Sequence, residues 1–591
     1  MQAHDRFLPE WFYRVRSRQI TLPRFQRFIA WGHSEVSGLL TTVLRGLPSG
    51  AALILEVGDE EKFKSRTMTD APENGGKVTE QLLDGQQRLT ALWRSLHDKY
   101  TDRTYLIGFE DDPHNGGAKQ PYVYGQARWI RNGTKYPVWT DSAASCWQRG
   151  FIPLRLLRPE DAKDEIDAWI EATLQQDSVD KFAAYKELNN LISDLRTKVR
   201  EFNLPYLSLP AKTEKDVALD VFVKMNTSSV RLDTYDVVVA LVEGETGTSL
   251  HDHVEILKQA VPRVDAYADV PGLVLDVVAL RQNRVPSQAG YRGIDFGKMI
   301  DEWESVVAGV KGMIGFLEDE AVFDAQRLPS YTAIPVIAAL WEHLPTNPDQ
   351  LGNARHLLRK YTWRAFLTGR YEQSSATNAL QDYRALRDTL RGRQDAHIPI
   401  FNEDAYPIPG AEMVLLADWP KRKTIMSRGL LALQIKAGAE DPADGARASI
   451  ASITSREHPR EYHHLFPDSK LTEADVPGEE IYRAVNCALI TWRTNRTISN
   501  KDPVAYLKER ADNSTLGEEE LKRRLRTHLI PFDELNVGEY AGLEGDALKE
   551  RTKADYQRFA QARAQLLAKA AEMACGGQSL ELNQIFSNVG V

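Results

Sequence analysis

Two adjacent imidazoles, His463 and His464, stand in the run Glu461-Tyr462-His463-His464-Leu465-Phe466-Pro467, and Asn486 and Asn495 follow it. These residue types can cut a phosphodiester bond. One imidazole takes a proton from water, while a divalent cation on hard ligands stabilises the charge growing on the phosphate and the leaving oxygen. Successive side chains of a strand point to opposite faces, so a strand ending at His463 cannot present both rings equivalently unless it bends there. Pro467 supports such an ending. The stretch Asn486 to Trp492 reads as a short apolar strand, and Thr494 reads as the cap of a helix opening at Asn495 or Arg496. The expected order is strand, long loop, strand, helix. The competing reading is a surface histidine pair with two turn asparagines, against which the ordered Pro467, Asn486 and Asn495 weigh. Cys146, Cys487 and Cys575 form no CxxC pair, which excludes a bracing zinc ribbon.

A second polar constellation lies near the other end. Val78 to Leu83 reads as a strand, Asp84-Gly85 as a turn, and Gln86 to Leu96 as an amphipathic helix with Leu89, Leu92, Trp93 and Leu96 on one face. Free N–H groups and the helix dipole make such an N-terminus favourable for a phosphate, and Arg88 adds a bidentate donor. Asp84 could hold a metal, and Gln86 or Gln87 could orient water. Asp-Gly is also an everyday turn with a capping aspartate.

Around these two groups the chain reads as α+β and predominantly helical. A helix from Ser34 to Leu44 and a strand from Ala51 to Val57 precede Asp84, and the α/β part runs to roughly Val138 or Phe151. Helical patterns then cover Glu165 to Leu174, Phe182 to Phe202, Val217 to Met225, Thr234 to Val242, Phe296 to Leu317 and Ala354 to Leu367. The stretch from Asp111 to Gln126 reads as an exposed connector or a substrate-facing insertion. The proline-rich run Ile398 to Gly410 reads as a linker, which gives an expected division into 1–400, a linker at 401–420, and 421–591. Lys421 to Ala437 is the first helix expected beyond it, and Asp546 to Met573 a long closing helix.

At 591 residues the chain exceeds what one core fills, so two or three domains are expected. With 42% hydrophobic and 27% charged residues it is ordinary globular material. No apolar run is long enough to span a bilayer, and three scattered cysteines fit a reducing cytoplasm. A net charge of −9 argues against coating of nucleic acid by the whole surface, so such a site must be local. Trp419-Pro420-Lys421-Arg422-Lys423 and the run Glu520 to His528 are local basic patches. In the second, Lys522, Arg523 and Arg526 turn outward from Leu521 and Leu525, a geometry suited to phosphates and equally to a solvated helix face.

From Glu461 to Tyr506 the chain resembles the HNH, or ββα-metal, nucleases, on His463, His464, Pro467, Asn486 and Asn495. The resemblance implies His464 as general base, His463 and Asn495 as ligands of Mg²⁺ or Mn²⁺, and Asn486 as the brace of the loop carrying the base. Lys501 is a weaker candidate for phosphate contact. The segment from Ile20 to Trp31, together with Asp84-Gly85-Gln86-Gln87-Arg88, resembles the ParB/sulfiredoxin-like domain of the GmrSD and SspE restriction proteins. That likeness continues through Asp220 to Asn226, where Thr227-Ser228-Ser229 replaces the usual glycine-containing turn, and through Leu232 to Asp236, Leu328 to Tyr331 and Phe366 to Tyr371. It implies that Asp84, Gly85, Gln86, Gln87 and Arg88 bind and hydrolyse a nucleoside triphosphate, GTP foremost. No G-x-x-x-x-G-K-[ST] is present, so an ordinary P-loop is not the nucleotide site. Together the resemblances imply an antiphage nuclease acting on double-stranded DNA, with an SspE-like phosphorothioate sensor favoured. The alternatives are a GmrSD-like enzyme cutting glucosylated hydroxymethylcytosine DNA, a regulatory module without turnover, and an RNA-cleaving toxin. No membrane partner is expected, and self-association is left open.

Overall fold

Alternating short apolar runs and turn residues in the first part of the chain build small sheets, whereas the later sequence carries almost unbroken helical periodicity. The computed structural model describes residues 2–589, apart from 27–30, 74, 113–118, 175–180, 216, 219–220, 223–233, 394–396, 456–458, 514–516, 538–539 and 541. The architecture is α+β and predominantly helical, as the sequence implies. The chain divides into Met1–His251 and Asp252–Val591. Residues 252–400 thus fall in the same unit as the histidine motif, where the sequence reading grouped them with the N-terminal domain.

The strands of the first unit are β1 (Gln2–His4), β2 (Ile20–Pro23), β3 (Ala52–Glu56), β4 (Ser65–Arg66), β5 (Glu80–Asp84), β6 (Arg103–Asp111), β7 (Lys119–Ala127), β8 (Trp129–Arg131), β9 (Thr134–Tyr136), β10 (Ile152–Pro153) and β11 (Tyr206–Leu209). Six of them form a mixed sheet in the order β1-β11-β3-β5-β2-β4, in which β5 runs antiparallel to β3 and parallel to β2. The helices α1 (Leu8–Arg16), α2 (His33–Leu44) and α3 (Gln86–Leu96) contribute Trp11, Phe12, Leu40, Leu89 and Leu92 to its core. Each such side chain withdrawn from water contributes about 2 kcal/mol before ordering entropy is subtracted. That fixes α3, and with it Asp84 to Arg88, against the sheet.

The stretch from Asp111 to Gln126 differs from its expectation as a connector. β6 and β7 pair antiparallel from Arg103↔Ala127 to Asp111↔Lys119, and Val123 is buried. Tyr122, Val123 and Tyr124 supply strand-forming aromatic and β-branched residues that outweigh the glycines nearby. The motif residues Val223 to Asn226, Thr227 to Ser229 and Leu232 lie outside the described residues, with most of the expected Val217 to Met225 helix.

In the second unit the expected Phe296 to Leu317 helix is two, Phe296–Asp301 and Trp303–Asp319. The region expected as a linker holds a short helix, Ala411–Leu415, with Ile400 and Val414 fully buried. The helix expected from Lys421 starts later, at Ile425, because Pro420–Arg422 forms a 3₁₀ turn and Thr424 caps the helix through Ser427 N. The closing helix runs Gly545–Cys575. β12 (Arg460–His464) and β13 (Cys487–Thr491) pair antiparallel and are followed by the helix Trp492–Ile498. This is the expected strand, loop, strand, helix order.

Candidate functional site

The loop between β12 and β13 is held by one amide. Asn486, fully buried, accepts from Phe466 N at 2.8 Å and donates to Phe466 O at 3.0 Å and Ile481 O at 3.2 Å. Its side chain therefore closes the loop that begins at Leu465. Leu465 N donates to Asn486 O, and Tyr506 Oη donates to Leu465 O, which fixes the chain leaving His464.

Thr491 caps the helix Trp492–Ile498, accepting from Thr494 N at 3.3 Å, so the cap lies three residues before the one expected at Thr494. The cause is Asp441, a buried carboxylate that accepts from Thr491 N at 2.7 Å and Thr494 Oγ1 at 2.6 Å. Although burial opposes it, these hydrogen bonds hold its carboxyl below the usual range. Asn495 consequently sits in the second turn, facing β12.

There Asn495 bridges two residues of β12. His463 Nδ1 lies 2.8 Å from Asn495 Oδ1, and Asn495 Nδ2 donates to Glu461 Oε2 at 2.6 Å. Glu461 and His463 are two apart on the strand and share its face. Burial pushes the His463 imidazole down to about 4, so it is neutral near pH 7, and its Nε2 is buried without a hydrogen-bond partner. An imidazole, an amide oxygen and a carboxylate form a mixed N/O set that suits Mg²⁺ or Mn²⁺ better than zinc. The 2.8 Å contact is a hydrogen bond that His463 Nδ1–H donates to the Asn495 carbonyl oxygen, which leaves Nε2 as the imidazole's free lone pair. Among the described residues no group of three His, Cys, Asp and Glu side chains is gathered for a metal.

His464 leaves β12 toward different neighbours. Its ring stacks on Trp419, with centroids 4.1 Å apart and planes 13° apart, and meets the edge of Tyr482 at 4.9 Å. Burial lowers its pKa, Lys421 adding to the effect and Asp468 opposing it. Its Nε2 is also buried and without a partner. The structure thus brings His463, Asn495 and Glu461 into one hydrogen-bonded group and places His464 in an aromatic clamp beside it. β12 continues through His464, which pairs with Cys487, so the two rings follow strand alternation.

The four candidate phosphate contacts are already engaged. Lys501 pairs with Glu509, Lys522 with Glu518 and Glu519, and Arg523 with Glu440 and Glu520. Arg526 donates to Asn583 Oδ1 and lies over the Phe586 ring, 4.6 Å from its centroid. Surface pairs of this kind contribute little and exchange readily, so they do not bar these side chains from a phosphate.

In the first unit Gly85 joins β5 to α3 with φ +97°, and a Cβ there would stand 3.0 Å from that of Ala52, so both conformation and space call for glycine. Arg88 donates through Nη1 to Ser49 O at 2.9 Å and through Nη2 to Ala51 O at 2.9 Å and Asp84 Oδ2 at 3.1 Å. Its guanidinium ties the loop before β3 to the helix start instead of standing open as a phosphate fork. Burial raises the Asp84 carboxyl against the pull of Arg88. Gln86 is buried, and Gln87 is half-buried with its Oε1 3.4 Å from Trp31 N.

Residues 10–243 match the family model described as the GmrSD restriction endonuclease, N-terminal domain. Over that segment the chain is similar to the N-terminal domain of GmrSD-type restriction proteins. It is also similar to an uncharacterized protein of Methanocaldococcus jannaschii, 21% identical over an alignment 595 positions long that covers 93% of this chain and 95% of that protein. Among the described residues no helix is long and apolar enough to cross a membrane, and the three cysteines are buried and free.

Sequence reasoning did not single out Glu461, Asp441, Trp419 or Tyr482 for roles. Glu461 was detectable, since i and i+2 on one strand share a face with His463. The others reach the site from other segments and leave no local signal.

Proposed function

We propose that this protein is an antiphage restriction nuclease in which an N-terminal nucleotide-hydrolysing sensor of DNA modification governs a metal-dependent HNH module. The observation that carries the nuclease half is the Asn486-closed loop beside the His463–Asn495 pair on a strand–strand–helix frame. In this reading His464 is the general base, His463 and Asn495 hold Mg²⁺ or Mn²⁺, and Glu461 orients the Asn495 amide. A cation held there would supply charge stabilisation at the scissile phosphate, while His464 takes the proton of the attacking water. The N-terminal match supports the restriction half, with Asp84 to Arg88 as the loop that binds and turns over GTP or another nucleoside triphosphate. A nuclease that shares a cell with its host's DNA needs such coupling, because its activity must depend on a second site that distinguishes self from foreign. The work is done on double-stranded DNA in the cytoplasm. An SspE-like sensor of phosphorothioate is preferred, since both modules sit in one chain; a GmrSD-like enzyme acting on glucosylated hydroxymethylcytosine is the second reading, favoured by the family match itself.

Phosphate release from GTP and ATP, measured with matched DNA that is plain, phosphorothioated or glucosylated, separates these readings. Stimulation by phosphorothioated DNA supports the first, and stimulation with cleavage of glucosylated DNA the second. Absence of release with every DNA and nucleotide would remove the hydrolase half and leave a binding module.

A further inference from the structure

We propose that Trp419 is a positioning residue for the nuclease base: its indole, stacked on His464, sets the plane in which that imidazole meets water. The inference rests on the reading of His464 as the base. The two planes are 13° apart with centroids at 4.1 Å, and Tyr482 closes the arrangement from the side, its ring nearly perpendicular to both His464 at 4.9 Å and Trp419 at 5.9 Å. Tyr482 is itself tied down, donating through Oη to Asp468 Oδ2 at 3.1 Å.

Such a clamp matters because of how His464 is otherwise held. Its Nε2 is buried and without a hydrogen-bond partner, so no bond at that nitrogen stops the ring from turning about its Cβ–Cγ axis. The terminal torsion of histidine is broad, and rotation would sweep the basic nitrogen away from any fixed water. Aromatic pairs gain beyond the burial of their area when they are offset-stacked or edge-to-face, and His464 makes both contacts at once. Trp419 is suited to the task, being only 5% exposed and followed directly by Pro420 and the turn Pro420–Arg422. Lys421 Nζ lies 5.6 Å from the centroid of the Tyr462 ring, on the same strand as His464, which further registers this segment against β12.

The test uses the full chain, supercoiled plasmid and Mn²⁺, with kcat and KM determined separately. Trp419→Ala is expected to lower kcat about 10- to 100-fold with KM for DNA unchanged, the scale set by a misplaced catalytic group. Trp419→Phe, which keeps a stacking face, is expected to recover kcat to within about threefold of the parent. Trp419→Leu fills the space without a face and decides the matter should the alanine variant fail to fold; it is expected to lose kcat as alanine does. Circular dichroism and calorimetric Mn²⁺ binding should match the parent in the variants compared. An unchanged kcat in Trp419→Leu overturns the proposal, a rise in KM alone reassigns Trp419 to DNA contact, and an increased kcat reassigns it as a restraint. His464→Ala runs in parallel: if that variant still cuts, the assignment of the base has failed, whatever Trp419 does.

Discussion

Replacing Asn486 by alanine removes the acceptor for Phe466 N and the donors to Phe466 O and Ile481 O, all within a fully buried site. A net value of about 1 kcal/mol for each of three hydrogen bonds gives about 3 kcal/mol, and the unpartnered groups left in a dry site push the figure upward. Because this energy closes one loop, the loss is expected as local opening of residues 465–486 before it appears as global unfolding. At about 1.4 kcal/mol per decade, 3 kcal/mol corresponds to roughly a hundredfold loss of amide protection at Phe466. Hydrogen exchange followed by mass spectrometry of the folded full-length variant reads this directly. Peptides from the first unit serve as the internal control. DNA cleavage should fall with it, since the chain that leaves His464 is the chain Asn486 fastens. Unchanged protection of peptides covering 465–486 would refute the claim that this side chain holds the loop.

Two further outcomes follow from the same structure. Arg88→Lys keeps the charge but cannot span Ser49 O, Ala51 O and Asp84 at once, so nucleotide hydrolysis should fall at least about tenfold and protection at residues 49–51 should drop; hydrolysis at the parental rate would dissociate this loop from turnover. His528 is fully buried, its Nε2 lies 2.7 Å from Glu440 O, and burial lowers its pKa to about 4. Its folded pKa lies below the unfolded value of about 6.5, so the unfolded chain takes up the proton first and stability falls as pH drops from about 6.5 to about 4, by roughly 3 kcal/mol in all. His528→Gln, which can still donate to Glu440 O, should flatten the fall of apparent melting temperature between pH 7 and pH 5; an equally steep fall would show that other groups carry it.

Much of this arrangement was legible in the residues. α3 follows its apolar spacing from Gln86 to Leu96 without adjustment, and the β12–β13–helix order follows from short apolar runs and turn residues. The role of Asn486 as a brace was implied by the family resemblance and had no signal in local pattern. What the sequence concealed was supplied from a distance. Asp441 moved the start of the helix after β13 back to Trp492, since a carboxylate fifty residues upstream satisfies Thr491 N, and no local propensity encodes that. Trp419 was legible only as part of a basic run, because its partner His464 becomes a neighbour through tertiary packing alone. Arg88 had the residue type of a phosphate clamp, yet carbonyls at Ser49 and Ala51 claim its donors in the fold. On the basic face, Lys522, Arg523 and Arg524 are paired with Glu518, Glu519, Glu520 and Glu440, three of which are visible one turn earlier on the same helix.

The central claim is that His464 is the base of a metal-dependent phosphodiesterase. It is tested most directly by incubating supercoiled plasmid with the purified chain and Mg²⁺ or Mn²⁺, beside folded His464→Ala and beside the parent in EDTA. The account predicts conversion to open circles by the parent with metal, and none by the variant or in the chelator. Cleavage by His464→Ala at the parental rate would contradict it.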